Sequence, residues 1–321
     1  MAHDGLEAGP GRVAPQEAQK ISAHATRLSV IVASILVVAK IGAWWLSGSV
    51  AMLASLADSA LDLAASLTAF FAVRYAATPA DEEHRHGHGK AEAMASFLQG
   101  LLVAGSAAYL VYESGKRLIN PEPIQHGLIA LGVMVLSIVM TLGLVWAQTQ
   151  ALKKSHSLAV SGDRAHYMAD LGSNLAVMVG LIGAGLLGFT RADPIIGLLV
   201  ALWLFKTAWD VITGAADHLM DKELPDEERE AILRLAREDA QVLGVHNLRT
   251  RAAGPFVHIQ IHMDLDPTLT LDEAHKIIVA AEKRIMSAFP AADILIHPDP
   301  RGHAEPHGND LFDQQTGSES A

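Results

Sequence analysis

Residues 50–73 read VAMLASLADSALDLAASLTAFFAV, and residues 166–188 read HYMADLGSNLAVMVGLIGAGLLG. The first stretch carries Asp58 and Asp62 four residues apart, and the second carries His166 and Asp170 at the same spacing. Positions i and i+4 of an α-helix lie on one face, one turn apart. Each stretch therefore presents two ligand-type side chains on one stripe of an apolar helix. An ionised side chain at the bilayer centre costs roughly 2.5–3.5 kcal/mol on the gentlest scale, so such groups face a partner or a water-filled cavity. Three carboxylates and one imidazole make a full tetrahedral set for a divalent cation, with zinc the default. A helix cap or a structural hydrogen-bond network explains one such pair equally well. Two matched pairs favour the metal.

The rest of the N-terminal two thirds supports a membrane reading. The chain is 50% hydrophobic and only 18% charged. Six segments reach roughly the 20 apolar residues that cross a bilayer. They are Leu28–Leu46, Val50–Tyr75, Ala95–Leu118, Gly127–Trp146, Ala159–Leu187 and Pro194–Val211. Glycines recur in the fifth (Gly172, Gly180, Gly183, Gly185, Gly188), which allows neighbouring helices to approach closely. Basic residues in short loops set the orientation. With the N-terminus inside, the cytoplasmic side holds Arg12, Lys20, Arg27, Arg74, Arg85, Lys90, Lys153, Lys154 and Arg164, against Lys116, Arg117 and Arg191 outside. An even number of spans returns the C-terminus to the cytoplasm. Lys40 lies near the end of the first span, where it is expected to snorkel to the interface.

The first 24 residues, with Gly9-Pro10-Gly11 and Pro15, read as a disordered tail without the apolar core of a signal peptide. Residues 25–214 form the expected six-span transmembrane domain. From residue 222 to 300 the pattern is that of a small soluble domain. Asp226 is an expected N-cap ahead of a helix running to about Asp239. Strands are expected at His246–Arg251, Phe256–Leu265 and Asp293–His297, and a helix from Leu271 to about Phe289. The order α-β-β-α-β predicts a two-layer α+β fold. Residues 301–321 are polar and read as a second disordered tail, in which His303 and His307 are incidental.

Composition also excludes. With no cysteine, disulfides and thiolate metal sites are ruled out. The net charge of −11 is spread rather than blocked, which argues against nucleic-acid binding. Asp272-Glu273-Ala274-His275 spells a helicase-like box, but the chain has no phosphate-binding loop, and neither HExxH nor GxSxG occurs. These absences favour a non-enzyme.

Two further groups carry ligand chemistry. The loop Asp81-Glu82-Glu83-His84-Arg85-His86-Gly87-His88 offers Asp81, His84 and His88, with His86 as an additional candidate. The soluble domain offers His246, His262, His275, His297 and Asp299, drawn from three strands and one helix. His258 is left out, because its face relative to His262 depends on strand register.

These strings resemble the cation diffusion facilitators, most closely the bacterial zinc and ferrous-iron efflux type. The resemblance runs from about Ala25 to Pro300 and rests on SGSVAMLASLADSALD (47–62), PADEEHRHGHGKAE (79–92), HYMAD (166–170), MDKELPDEER (220–229), GVHNLRTRAAGP (244–255), IQIH (259–262) and ILIHPDP (294–300). It implies that Asp58, Asp62, His166 and Asp170 form the intramembrane transport site. By the same match Asp81, His84 and His88 are an interfacial site, and His246, His262, His275, His297 and Asp299 a binuclear site at a homodimer interface. The implied activity is efflux of Zn2+ (or Fe2+, Cd2+) by proton antiport across a bacterial inner membrane. His86 and Pro298 depart from the usual pattern in the loop and the last strand. A non-transporting metal sensor has no need of four ionisable groups in the bilayer. An intramembrane metallohydrolase requires an open coordination position and a general base that the four-ligand set does not leave.

Overall fold

The computed structural model describes residues 9–48, 50–119, 128–187 and 192–302. Gly188, the outer Arg191 and the polar C-terminal stretch from His303 onward lie outside them. The chain divides into two units, one of Glu17–Leu219 and one joining Met220 onward with the residues up to Gln16.

The first unit is all helix: α1 (Pro15–Ser47), α2 (Val50–Ala76), α3 (Lys90–Ile119), α4 (Leu128–Ser155), α5 (Leu158–Leu187) and α6 (Ala192–Leu219). Among the described residues, α1, α2, α3, α4 and α6 combine the length and apolarity of a membrane span. α5 is 30 residues long and carries Asp163, Arg164, His166 and Asp170 in its first half. Large apolar side chains such as Trp45, Phe71, Tyr109, Val139, Trp146 and Leu202 point outward. A helix bundle that exposes such residues is matched to lipid rather than water. Inside, α3 lies along α6, and α5 packs against both. Small residues permit this. A Cβ at Gly162 would stand 2.9 Å from the Ser96 Cα on α3, and one at Gly172 would stand 2.9 Å from the Trp203 ring on α6. α1 joins through Val32 and Leu36, which pack with Leu144 of α4 and Tyr167 of α5.

The second unit has the expected order: α7 (Asp226–Ala236), β1 (Gly244–Ala253), β2 (Phe256–Leu265), α8 (Leu271–Ala288) and β3 (Ala292–Pro300). β1 and β2 pair antiparallel, and β3 lies parallel to β2 after the α8 crossover. Along β2, Val257, Ile259, Ile261, Met263 and Leu265 are buried, and they pack with Ile232, Ile277, Ile285 and Phe289 from the two helices. The alternate residues lie on the other face of the sheet. α8 opens on a full capping box, in which the Glu273 amide donates to Thr270 Oγ1 and the Thr270 amide donates to Glu273 Oε2.

Three local expectations are corrected. Residues 9–24 are not a loose tail: α1 already begins at Pro15, whose missing N–H costs nothing in a first turn, and Gly9–Arg12 packs on the second unit. Asp226 is the first helical residue of α7 and not its cap; Pro225 precedes it without a capping side chain. Lys40 does not snorkel. It is 8% exposed, and its Nζ donates to Ser59 Oγ at 2.5 Å and to the Ser55 carbonyl at 3.1 Å, both on α2.

Candidate functional site

α2 and α5 bring three of the four intramembrane candidates together. His166 Nε2 lies 3.0 Å from Asp62 Oδ1 and 3.8 Å from Asp170 Oδ2. Asp62 and His166 are buried, and Asp170 is half-buried. Their ligand atoms fall within one ion's reach of each other. Asp58, one turn from Asp62 along α2, stands outside this trio and is exposed. His166 turns Nε2 toward the acids, while its buried Nδ1 has no hydrogen-bond partner among the described residues.

One turn along both helices from this trio lies a polar network that the sequence did not announce. Asp163 is fully buried. Its Oδ1 accepts from Ser66 Oγ at 3.1 Å, and its Oδ2 accepts from Gln148 Nε2 at 2.8 Å. Ser66 Oγ also lies 2.8 Å from the Tyr167 hydroxyl, and Gln148 Nε2 donates to Ser29 Oγ at 3.0 Å. Four helices, α1, α2, α4 and α5, are thereby tied at one carboxylate. Its only sequence signal was an acid three residues before His166 in an apolar helix.

The loop after α2 gathers Asp81, His84 and His88. Asp81 Oδ1 accepts from the Glu83 and His84 amides at 3.0 and 2.6 Å, a local turn that fixes the carboxylate. Those amide bonds, His84's foremost, hold the Asp81 carboxyl below its usual range. His84 Nδ1 and His88 Nε2 stand 3.4 and 3.3 Å from its oxygens. His86 is exposed and is not part of this trio.

In the second unit strand register decides the outcome. His246 of β1 pairs with His262 of β2, which pairs with His297 of β3. Cross-strand partners point to the same face, so the three imidazoles form one row, with ring centroids 5.3 and 4.9 Å apart. Asp299 serves all three. Its Oδ2 lies 2.8 Å from His262 Nδ1 and 3.4 Å from His246 Nε2, and its Oδ1 lies 3.4 Å from His297 Nε2. Burial, opposed by the Asp299 hydrogen bond, lowers the pKa of His262 from its ordinary 6.5. A bulge between His246 and Arg249, with Asn247 at a positive φ of 48°, interrupts the ladder next to His246. Sequence reasoning passed over Asp264, which pairs with Asp299 in the next row and lies 3.7 Å from His246 Nδ1. Its spacing of two from His262 on an alternating strand was the available signal. His275 is not brought in: it sits exposed on α8, on the opposite side of the sheet from the imidazole row, and joins no such group among the described residues.

Oxygen and imidazole groups in these arrangements are those that bind divalent zinc, iron or similar ions. The description of the cation efflux transmembrane domain matches residues 26–220, and that of the cation efflux protein cytoplasmic domain matches residues 224–301. The chain belongs to the cation efflux family. Members similar to it include the cation-efflux pump FieF of Shewanella oneidensis, 43% identical over 86% of this chain and 93% of its own. FieF of Yersinia pestis (strain Pestoides F) is 41% identical over 89% of this chain and 95% of its own. The solved zinc form of CzrB is similar to 26% of this chain and 98% of its own at 33% identity, with a TM-score of 0.25. Membership in the cation efflux family makes this chain a transmembrane cation efflux transporter, with its second unit as the cytoplasmic domain.

Proposed function

We propose that the protein exports Zn2+ from the cytoplasm in exchange for protons, with Fe2+ and Cd2+ as further cargo. The observation that carries this reading is the meeting of Asp62, His166 and Asp170 between two membrane helices. Asp58 completes the proposed set from one turn away on α2.

The chemistry follows from the ligand types. An imidazole must be neutral and a carboxylate ionised to bind a metal ion, so metal and protons compete for the same atoms. An empty site that holds His166 between two acids has a place for a proton on Nε2, and arrival of the cation displaces it. Exchange is then a property of the ligands themselves. Zinc accepts mixed oxygen and nitrogen sets in tetrahedral geometry, and ferrous iron and cadmium accept the same donors, so selectivity lies in geometry.

The loop trio of Asp81, His84 and His88 is proposed as a second cation site. His246, His262, His297 and Asp299, with Asp264 beside them, are proposed as the metal site of the cytoplasmic domain. A symmetric pair of chains joined through that domain follows the usual closed symmetry of homo-oligomers. Both termini are proposed to lie in the cytoplasm, at a bacterial inner membrane, and the excess of basic residues in the loops assigned to the inside supports that orientation.

Everted vesicles under an imposed pH gradient, offered zinc and a competing panel of divalent ions, test the proposal. Zinc uptake that rises with the gradient and alkalinises the lumen is expected. Metal binding without flux favours the sensor reading instead.

A further inference from the structure

None of the candidate metal sites uses Gly9–Arg12, yet these residues hold a defined place. Arg12 Nε and Nη2 both donate to Glu228 Oε2, at 3.0 and 2.6 Å. The guanidinium carbon stands 4.1 Å from the centre of the Phe289 ring. The Ala291 amide donates to the Gly11 carbonyl at 3.2 Å, and the Arg12 amide returns to the Gly9 carbonyl at 3.2 Å to close a turn. Pairing with a carboxylate while stacking on an aromatic face is a combination that a guanidinium offers and an ammonium does not.

The backbone is fitted as closely as the side chain. Gly11 adopts a φ of +77°, and a Cβ there would come 2.5 Å from Val257 Cγ2. A Cβ at Gly9 would run into the Glu228 carboxylate. The Glu228 side chain is only 7% exposed, and a carboxylate so far removed from water needs a cation. Arg12 supplies it from 216 residues away in the chain.

We propose that Gly9–Arg12 is an intramolecular ligand of the C-terminal unit, seated in a socket made by Glu228, Val257, Phe289 and Ala291. The chain leaves the socket and enters α1 at Pro15. The C-terminal unit is thus linked to a membrane helix at both ends of the transport region, through this strap to α1 and through residues 220–225 to α6. The socket recognises a short, glycine-rich, arginine-bearing segment, and the chain carries one in Gly9-Pro10-Gly11-Arg12.

Hydrogen–deuterium exchange of the full-length protein in lipid nanodiscs tests this at the Ala291 amide, whose acceptor is the strap. Arg12→Ala removes the ion pair and the stack, and Gly11→Val blocks the seat by bulk and backbone strain. Each is expected to raise exchange at Ala291 by at least about tenfold, the signature of a local opening. Amides in the buried middle of α8, at Ile278 and Ala281, should keep their rates. An unchanged rate at Ala291 in either variant, or a rise spread evenly through Ile278 and Ala281, overturns the proposal. This readout is independent of whether the protein transports zinc.

Discussion

His166 Nε2 lies 3.0 Å from Asp62 Oδ1, and one turn along the same two helices Ser66 Oγ lies 3.1 Å from Asp163 Oδ1. The two contacts differ in kind. The first sets an imidazole between acids, an arrangement that can exchange a proton for a cation. The second satisfies a buried carboxylate with neutral donors, so it holds helices together. Adjacent turns of α2 and α5 thus serve chemistry and framework.

Asp62→Ala removes a carboxylate from the proposed transport trio. Zinc flux in vesicles should fall at least about 100-fold, beyond what the loss of an outer supporting group produces. Membrane insertion and the thermal midpoint should stay near those of the unaltered chain. Near-normal flux in purified Asp62→Ala would remove this pair from the transport site.

His166→Asp replaces a borderline nitrogen donor with a hard oxygen. Competition assays should then show preference moving from Zn2+ toward Mn2+. The pH dependence of flux should change as well, because the imidazole whose proton competes with the cation is gone. Unchanged selectivity with an unchanged pH profile would show that His166 is not a ligand.

Asp163→Ala removes the acceptor that Ser66 Oγ and Gln148 Nε2 share. Each stranded donor costs about 1–3 kcal/mol. Unfolding in detergent, followed by tryptophan fluorescence, should show a loss on the order of 2–4 kcal/mol, with Asp163→Asn losing less. A stability equal to the unaltered chain's would mean that α1, α2, α4 and α5 are not tied there.

Lys40 places its Nζ against the Ser55 carbonyl and Ser59 Oγ, on the turn of α2 that carries Asp58. Lys40→Met leaves the acids with less compensation, so they should hold a cation more tightly and release it more slowly. KM for zinc and maximal flux should both fall, each by about threefold to tenfold for a screened charge at this distance. A KM that rises would assign Lys40 a packing role alone.

The row of His246, His262 and His297 around Asp299 should make self-association depend on metal. Since metal that binds only the assembled state stabilises it, a chelator should lower the dimer fraction measured by light scattering. Loss of both His262 and Asp299 should abolish that effect while flux is reduced rather than lost. Burial keeps the folded pKa of His262 below 6.5, so the unfolded chain takes up its proton first. Its contribution to stability is full above about pH 6.5 and is lost as pH falls through the lower folded value. His262→Gln should therefore flatten the fall in thermal stability on acidification below pH 6.5, and an unaltered slope would contradict this.

The sequence by itself determined the helices of the membrane unit, the α-β-β-α-β order of the second unit and the two i, i+4 pairs. Each is written in a local period: long apolar runs, two-residue alternation around Val257–Leu265, four-residue spacing at Asp58/Asp62 and His166/Asp170. It could not determine which ligand-type residues meet across elements. His275 and His297 look alike in the sequence, but strand register sets His297 beside His262, whereas helix phase leaves His275 exposed on α8. Asp264, Lys40 and Asp163 carried only faint local marks, a two-residue spacing from His262 and charges within apolar helices, since their partners lie on other strands and helices. The same holds for Gly9–Arg12, whose composition reads as disorder. Burying Arg12 against Phe289 and Glu228 requires the folded second unit, and only tertiary structure brings together residues 216 positions apart.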